Sequence, residues 1–408
     1  LTLHVLYSFP YRIGVLGIGM TAWHQVAGLA AQGVQVHLCC GTCERPIPGL
    51  ASLTETMKLA GFHIPYRLLG GDNALVWHDR IVARLLRRPR KPPFDLVHCW
   101  PLGALSTLVA AQTRGIPTIL ERPNSHTGFA YEAVAAEHQK LGLPLPTSNT
   151  HAFNARRLKR EEMEYKLATR LACPSDFVIN TFVSRGFKPV QMVRHRYGYD
   201  DAVFIAPSSS RSMFSEPETP FTVAFVARCE PRKGLHYALQ AWHASGAAAS
   251  GKFLIAGTFV PGYRELLTPL LDHPSIEVLG FVKNPASIMQ RSHVFVLPSI
   301  EEGSALVTYE ARACGCVLVV SDATGAPCEH MKEGLVHSAG DIDALTMHLR
   351  QLHASPELLA RLRTQSLKNV HLLTWKAAAN HLVSVYEHMI AQRNSEVTAR
   401  SVAGGGLA

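Results

Sequence analysis

Short apolar runs alternate with longer stretches of helical periodicity along most of the chain. Leu3–Tyr7 is apolar enough for a first strand, Met20–Gln32 repeats its apolar positions at helical spacing and stops at Gly33, and Val34–Cys39 is the next apolar run. Strand, helix, strand in that order is a βαβ unit. The pattern continues through Phe94–His98, Ile116–Leu120 and Leu171–Val178. After a polar interval it resumes through Phe221–Ala227, Lys252–Gly257, Ile276–Val282, Phe295–Leu297 and Val317–Val320. Strands covered on both faces read as near-continuous apolar runs, so an α/β protein of two similar halves is predicted. The interval, Ala206–Pro220, is rich in Pro, Ser and Glu and reads as a linker. The domains expected are therefore 1–205 and 221–374, joined by 206–220. A last amphipathic helix over 375–392 follows, and then a tail, 393–408, that ends in glycines and is expected to be disordered.

The densest chemistry lies in Phe295–Gly325, which reads as strand, acidic loop, helix, strand. Ser304 is a candidate N-cap, Leu306, Tyr309 and Ala313 share one helical stripe, and Gly315 suits the stop. Glu302 and Glu310 bracket that helix. At ~1.5 Å per residue they stand roughly 10–12 Å apart along its axis. That is near the span from hexose to ribose in a nucleotide diphosphate sugar. Between them, the amides of Ser304, Ala305 and Leu306 and the helix dipole suit a diphosphate. Taken alone, a solvated loop glutamate and a glutamate favoured by the dipole explain the pair equally well.

A second cluster follows the strand Phe221–Ala227: Arg228-Cys-Glu-Pro-Arg-Lys233-Gly234, then a helix from Leu235. Two cations at a strand-to-helix turn place positive charge where a departing diphosphate gains negative charge, which does the work of a metal ion. Arg232 is an extra cation there, and the structural alternative is a surface turn. In the first half, Glu121-Arg-Pro-Asn-Ser-His126 follows a strand whose carboxyl end is where α/β sheets place chemistry.

Glu302, seven residues, Glu310, a small-residue turn and a buried strand, together with Arg228-x4-Lys233-Gly234, resemble the donor-binding signature of the GT-B glycosyltransferases of family 4, the group 1 glycosyl transferases. The resemblance covers most of the chain and is most specific over 221–335. It implies two Rossmann-like domains facing across a cleft, with the last helix crossing back to the first. It also implies a nucleotide diphosphate sugar donor and a hydroxyl acceptor. Glu302 would touch the donor sugar, Glu310 the ribose, and Arg228, Lys233 and the backbone of Gly303, Ser304, Ala305 and Leu306 the sugar and diphosphate. Gly280, Phe281 and Val282 would accept the base. Gly17 and Gly19, in the loop Pro10–Gly19, would face diphosphate and acceptor, and His126 would position the transferred sugar.

His98 fits a structural role. Arg122 and Asn124 face donor or acceptor, or cap their loop. Departures from the family are Ser304-Ala305 for an aromatic or Pro then Gly, Tyr197 in Tyr-Gly-Tyr-Asp for Asn, and Gly325-Ala326 for Gly-Gly. The resemblance implies retaining hexosyl transfer by front-face substitution, the leaving phosphate helping to deprotonate the acceptor. No carboxylate pair flanks a separate site, so double displacement is not indicated. A GT-B phosphorylase or epimerase is the enzymatic alternative. A basic membrane- or anion-binding scaffold with a relict pocket is the alternative from another class.

Composition adds the partners. The chain has 408 residues, 47% of them hydrophobic, a formal charge of +9 and a pI ≈ 9.1, which favours anionic partners. No apolar run reaches the ~18 residues of a membrane span, and Leu1–Ser8 reads as strand rather than leader. Nine cysteines, an odd number set mostly in apolar runs, fit reduced thiols in the cytoplasm. Cys39, Cys40 and Cys43, or Cys314 and Cys316, lack a second pair or a nearby histidine pair, so no metal is expected. No cofactor beyond the donor substrate is expected either.

Trp77–Lys91, with Trp77, Ile81 and Leu85 at i, i+4, i+8, is basic and amphipathic. His151–Arg170 repeats the theme with Arg156, Arg157, Lys159 and Arg160. Such segments can lie on an anionic bilayer at the inner face of a membrane, or present a solvated basic face. They hint at a lipid-linked or phosphorylated acceptor. Interleaved aromatic platforms are lacking, so no nucleic-acid partner is expected. A dinucleotide fold is disfavoured because the first loop lacks GxGxxG and the second strand ends in Cys39-Cys40 with no carboxylate.

Overall fold

In a computed structural model, which describes residues 2–59, 62–64, 70–207 and 219–404, the apolar runs form two parallel sheets. The first holds β1 (His4–Ile13), β2 (Gln35–Cys43), β3 (Ser52–Glu55), β4 (Leu96–Cys99), β5 (Thr118–Glu121), β6 (Arg170–Cys173) and β7 (Met192–Arg194), in the order β3-β2-β1-β4-β5-β6-β7. The second holds β8 (Thr222–Val226), β9 (Lys252–Ala256), β10 (Ile276–Gly280), β11 (Val294–Leu297), β12 (Val317–Ser321) and β13 (Gly334–His337), in the order β10-β9-β8-β11-β12-β13. Both run outward in two directions from their first strand. Helices α1 (Ile18–Ala31), α2 (Gly71–Arg87), α3 (Leu105–Thr113), α4 (Thr127–Lys140), α5 (Ala155–Leu167) and α6 (Asp176–Val183) belong to the first half. Helices α7 (Leu235–Ser245), α8 (Tyr263–Leu271), α9 (Pro285–Met289), α10 (Leu306–Ala313), α11 (Ile342–Ala354) and α12 (Pro356–Lys368) belong to the second, and α13 (Trp375–Gly404) ends the chain. The protein is α/β, as the alternation predicts.

Period-two alternation assigns each β1 side chain to one face of its sheet. Val5, Tyr7 and Phe9 join Val36, Leu38 and Trp100 on one side, and Leu6 joins Val97, Leu108 and Phe182 on the other. The second half has a core of its own around Phe225, Trp242, Phe253 and Phe295. Helix α13 crosses back: Leu382, Tyr386 and Met389 lie in the first half's core, and Tyr386 Oη stands 2.6 Å from His98 Nδ1. The crossing is close at Gly28 of α1, where a Cβ would stand 2.6 Å from the Ala379 Cβ.

Two details differ from the sequence reading. Helix α13 continues to Gly404, through much of the tail expected to be disordered, because nothing between Gln392 and that glycine breaks a helix. Helices α11 and α12 are separated at Ser355-Pro356, where the Ser355 hydroxyl caps α12 by accepting from the Leu358 amide. On α2 the buried stripe is Ala74, Leu75, His78, Val82 and Leu86, one step round from Trp77, Ile81 and Leu85. Burial of His78 and Asp79 rotates it: His78 bonds Ser8 and Thr56, and Asp79 caps α3 through the Ser106 and Thr107 amides. Within the linker, residues 208–218 lie outside the described residues. No helix among the described residues is long and apolar enough to cross a membrane.

Candidate functional site

In an α/β sheet ligands bind outside the carboxyl ends of the strands, where the strand order reverses. Here the reversals fall between β1 and β4 and between β8 and β11, and the loops leaving β1, β8 and β11 line a cavity of about 820 Å³. Gly17 lines it from the first half, at φ 86°, a left-handed backbone that favours glycine. Arg228, Arg232 and Lys233 line it from the loop after β8, and Glu302, Ser304, Ala305 and Leu306 from the loop after β11.

The two charged clusters meet. The Lys233 ammonium is in direct contact with Glu302 Oε1, and Arg232 Nη1 lies 3.3 Å from Glu302 Oε2 and 3.2 Å from Glu301 Oε2. Burial and the adjacent Arg232 cation push the Lys233 pKa down, while Glu230 and Glu301 oppose them. Arg228 is the most exposed of the three cations, 3.7 Å from Glu230. Gly234, at φ 72°, closes the turn, and a side chain there would strike the Pro298 carbonyl.

Several expected contacts are not made. His126 does not line the cavity. Its ring is 1% exposed among Tyr165, Phe182 and Phe187, and its Nδ1 accepts from the Gly128 amide as the N-cap of α4. Burial, Arg122 and Arg185 take its pKa down to about 3. The cap holds the ring away from the cavity. Gly19 sits inside α1, where a Cβ would stand 2.4 Å from the Arg12 carbonyl oxygen; its role is packing. Gly280 ends β10 and Phe281 and Val282 follow it, none of them lining the cavity, with Phe281 69% exposed.

Ala305, not Ser304, caps α10. Its amide is taken by the Thr324 carbonyl at 3.2 Å, and the Ser304 hydroxyl bonds Tyr309 and the Gly325 carbonyl. The amides of Leu306 and Val307 remain without partners among the described residues. Glu310 does not line the cavity, and its carboxylate has no hydrogen-bond or ion-pair partner among the described residues. Burial pushes its pKa up to about 7.

Other residues join the site unannounced by any motif. Glu301 is fully buried, accepting from the Ser125 hydroxyl at 2.6 Å and from Arg232 at 3.2 Å. Burial would raise its pKa, but Arg232, His151 and the Ser125 hydrogen bond together hold it below the usual carboxylate range. His151 Nε2 stands 3.6 Å from Glu301 Oε2, on a loop between α4 and α5 with no regular structure of its own. A long structureless loop in a compact domain is itself a signal of function. Tyr197 also lines the cavity. Its hydroxyl donates to Glu121 at 2.7 Å, and Glu121 is in turn 3.1 Å from His98 Nε2. His98 is therefore structural, holding Glu121 and through it Tyr197.

The halves also touch through backbone. Ser175 Oγ donates to the Gly303 carbonyl at 2.5 Å, and a Cβ on Gly303 would lie 1.5 Å from the Pro123 carbonyl oxygen. Neither backbone can yield, so Gly303→Ala is expected to prise the halves apart. Misplacing reacting groups by an ångström costs about 10²-fold in rate. Small-angle scattering should show a larger radius of gyration and turnover should fall by about that factor; an unchanged radius with full turnover would show the contact to be dispensable.

Two family models divide the chain between them. Residues 15–202 match the Glycosyltransferase Family 4 model, and residues 220–355 match Glycosyl transferases group 1. The O-antigen chain mannosyltransferase B of Escherichia coli is 24% identical over 173 residues, 40% of this chain and 45% of that protein. An Escherichia coli UDP-Gal:alpha-D-GlcNAc-diphosphoundecaprenol alpha-1,3-galactosyltransferase is 24% identical over 66% of this chain and 69% of that protein. The matched stretch thus spans less than half the length of the mannosyltransferase. Among solved structures, the sucrose-phosphate synthase of Thermosynechococcus elongatus superposes over 96% of this chain and 100% of its own, with a TM-score of 0.66 at 17% identity. At that identity the likeness is one of fold.

Proposed function

As this chain belongs to the group 1, family 4 glycosyltransferases of GT-B fold, we propose that it moves a hexosyl group from a nucleotide diphosphate sugar to a hydroxyl acceptor, with retention of configuration. The observation that carries the reading is the meeting of Lys233 and Arg232 with Glu302 at the cavity between the two reversal points. Glu302 would hold the donor sugar. Arg228, Lys233 and the amides of Leu306 and Val307 would face the diphosphate.

As the bond from the anomeric carbon to the phosphate oxygen breaks, its electron pair leaves with the nucleotide, and the cations stabilise the charge that grows there. The acceptor oxygen forms the new bond from the same face, and its proton passes to the departing phosphate. Asn124 and His151, which line both this cavity and a second of about 460 Å³, would meet the transferred sugar. A lipid-linked or polysaccharide-precursor acceptor is supported by the galactosyltransferase relative, whose name specifies a sugar on diphosphoundecaprenol. The exposed basic residues of α2 and α5 fit peripheral contact with an anionic membrane.

A thermal-shift panel of UDP-, GDP-, ADP- and TDP-sugars tests the donor. A ligand at a hundred times its Kd adds about 2.7 kcal/mol of stability, so one base should raise the melting temperature and the others not. No shift with any of them would overturn the reading. NMR of the product's anomeric proton tests retention. Release of sugar phosphate on adding inorganic phosphate would instead identify a phosphorylase.

A further inference from the structure

An apolar slot of about 170 Å³ opens between α2 and α5, floored by Leu75, Val76, Leu102, Leu105 and Met163. Its rim carries Arg156, Arg157, Lys159, Arg160 and one acid, Asp72. Two of the cations are already neutralised. Arg157 pairs with Asp72 at 2.8 Å, and Arg160 pairs with Asp79 at 2.7 Å and donates to the Leu102 carbonyl. Arg156 and Lys159 are exposed and have no carboxylate partner among the described residues. Apolar side chains stay in water around them: Phe153 is 71% exposed and Met163 43%.

The slot is connected to the chemistry. The 460 Å³ cavity shares Leu75, Leu102 and Arg157 with it, and shares Ile18, Pro123, Asn124, Thr150 and His151 with the donor cavity. Three adjoining cavities thus form a groove from Lys233 and Glu302, past His151, to an apolar end flanked by two unneutralised cations. A hydroxyl acceptor needs only the inner end of such a groove. The outer end suits a molecule that is polar where it reacts, anionic some distance away, and hydrocarbon beyond that.

Resting on the glycosyltransferase reading above, we propose that the acceptor is a sugar joined through phosphate to a long hydrocarbon chain, with its phosphate at Arg156 and Lys159 and its chain leaving across Met163 through the slot between α2 and α5. The two cations act as point charges on the anion, and the slot removes the first part of the hydrocarbon from water.

Three probes on the full-length chain separate the contributions: farnesyl diphosphate, farnesol and inorganic diphosphate, titrated against intrinsic tryptophan fluorescence. Farnesyl diphosphate should bind at least about tenfold more tightly than either fragment, since the site holds both halves. Reversing both charges, Arg156→Glu with Lys159→Glu, should weaken it by about tenfold or more. Met163→Asp should weaken farnesyl diphosphate and farnesol but not inorganic diphosphate. All three residues are exposed or half-exposed, so the variants should melt with the wild type and show its nucleotide-sugar thermal shift. Unchanged farnesyl diphosphate affinity in the charge-reversed chain would overturn the proposal. So would binding that is lost in Lys233→Ala but kept in the charge-reversed chain, because the probe would then occupy the donor cavity. Either result with the donor shift intact leaves the glycosyltransferase reading standing; loss of the donor shift in the wild type sinks that reading instead.

Discussion

Lys233→Ala is expected to lower sugar transfer by about 10²–10³-fold while the chain stays folded, the loss typical of removing one donor aimed at developing charge. Lys233 ends the short turn Pro231–Lys233, just before the left-handed Gly234, and its ammonium meets Glu302. The neighbouring cations are committed elsewhere: Arg232 is shared among Glu230, Glu301 and Glu302, and Arg228 lies at the exposed rim. Lys233 is thus the buried cation with the fewest competing carboxylates when a diphosphate arrives. Removing one member of a buried ion pair usually destabilises strongly. Here Glu302 keeps Arg232 at 3.3 Å, so the charge left behind is still paired.

The loss should fall on kcat more than on KM, because the charge on the leaving group is greatest in the transition state. Lys233→Arg should rescue little, since a planar fork cannot replace a point charge in so confined a turn. Steady-state kinetics on both variants check this. A kcat within threefold of wild type for Lys233→Ala would remove the ammonium from the chemistry.

Much of this site was legible before any coordinates. Apolar runs of strand length separated by helical periodicity dictate a doubly wound sheet, and the reversal points of two such sheets must face each other if one chain is to build one cleft. Arg228, Lys233 and Glu302 each follow a central strand of the second sheet, so the topology carries them to the same end of it. What could not be read was direction. His126 and Asn124 lie two residues apart on one turn, yet Asn124 lines the cavity while the His126 ring folds back to cap α4. That choice depends on Tyr165, Phe182 and Phe187, all more than thirty residues away in sequence.

The rotated stripe on α2 has the same origin. His78 and Asp79 count as polar in any periodicity, but their partners, among them Ser8, Thr56 and Thr107, come from three other segments and make their burial favourable. Glu301 and Glu302, adjacent acids in one loop, look alike in the sequence. Only the fold shows one turned to Ser125 and the other to Lys233.

Glu310→Gln is expected to stabilise the protein at pH 8 and to abolish its response to the donor. The carboxyl sits in the second turn of α10, half-buried, with no hydrogen-bonding partner among the described residues, and loss of solvent raises its pKa from 4.5 to about 7. A carboxyl whose pKa is raised on folding holds more protons in the folded state than in the unfolded one between those two values. By linkage its contribution to stability therefore falls as pH rises from about 4.5 to about 7, and is lowest above that. At one unit per 1.36 kcal/mol the penalty at pH 8 is on the order of 3 kcal/mol at most. Glutamine, nearly the same shape but neutral, should recover part of it at pH 8 and none at pH 4. The difference between the two melting curves across pH isolates this group from every other.

An enzyme gains nothing from an unpaired, half-buried carboxylate unless a ligand satisfies it. Two ribose hydroxyls would do so, through hydrogen bonds to a charged acceptor that are about twice as strong as neutral ones. The same substitution that stabilises the empty protein should thus erase the nucleotide-sugar thermal shift. A variant that gained stability at pH 8 and kept the shift would show that Glu310 is strained for some reason other than the ribose. One that gained nothing would show that its carboxyl is solvated after all.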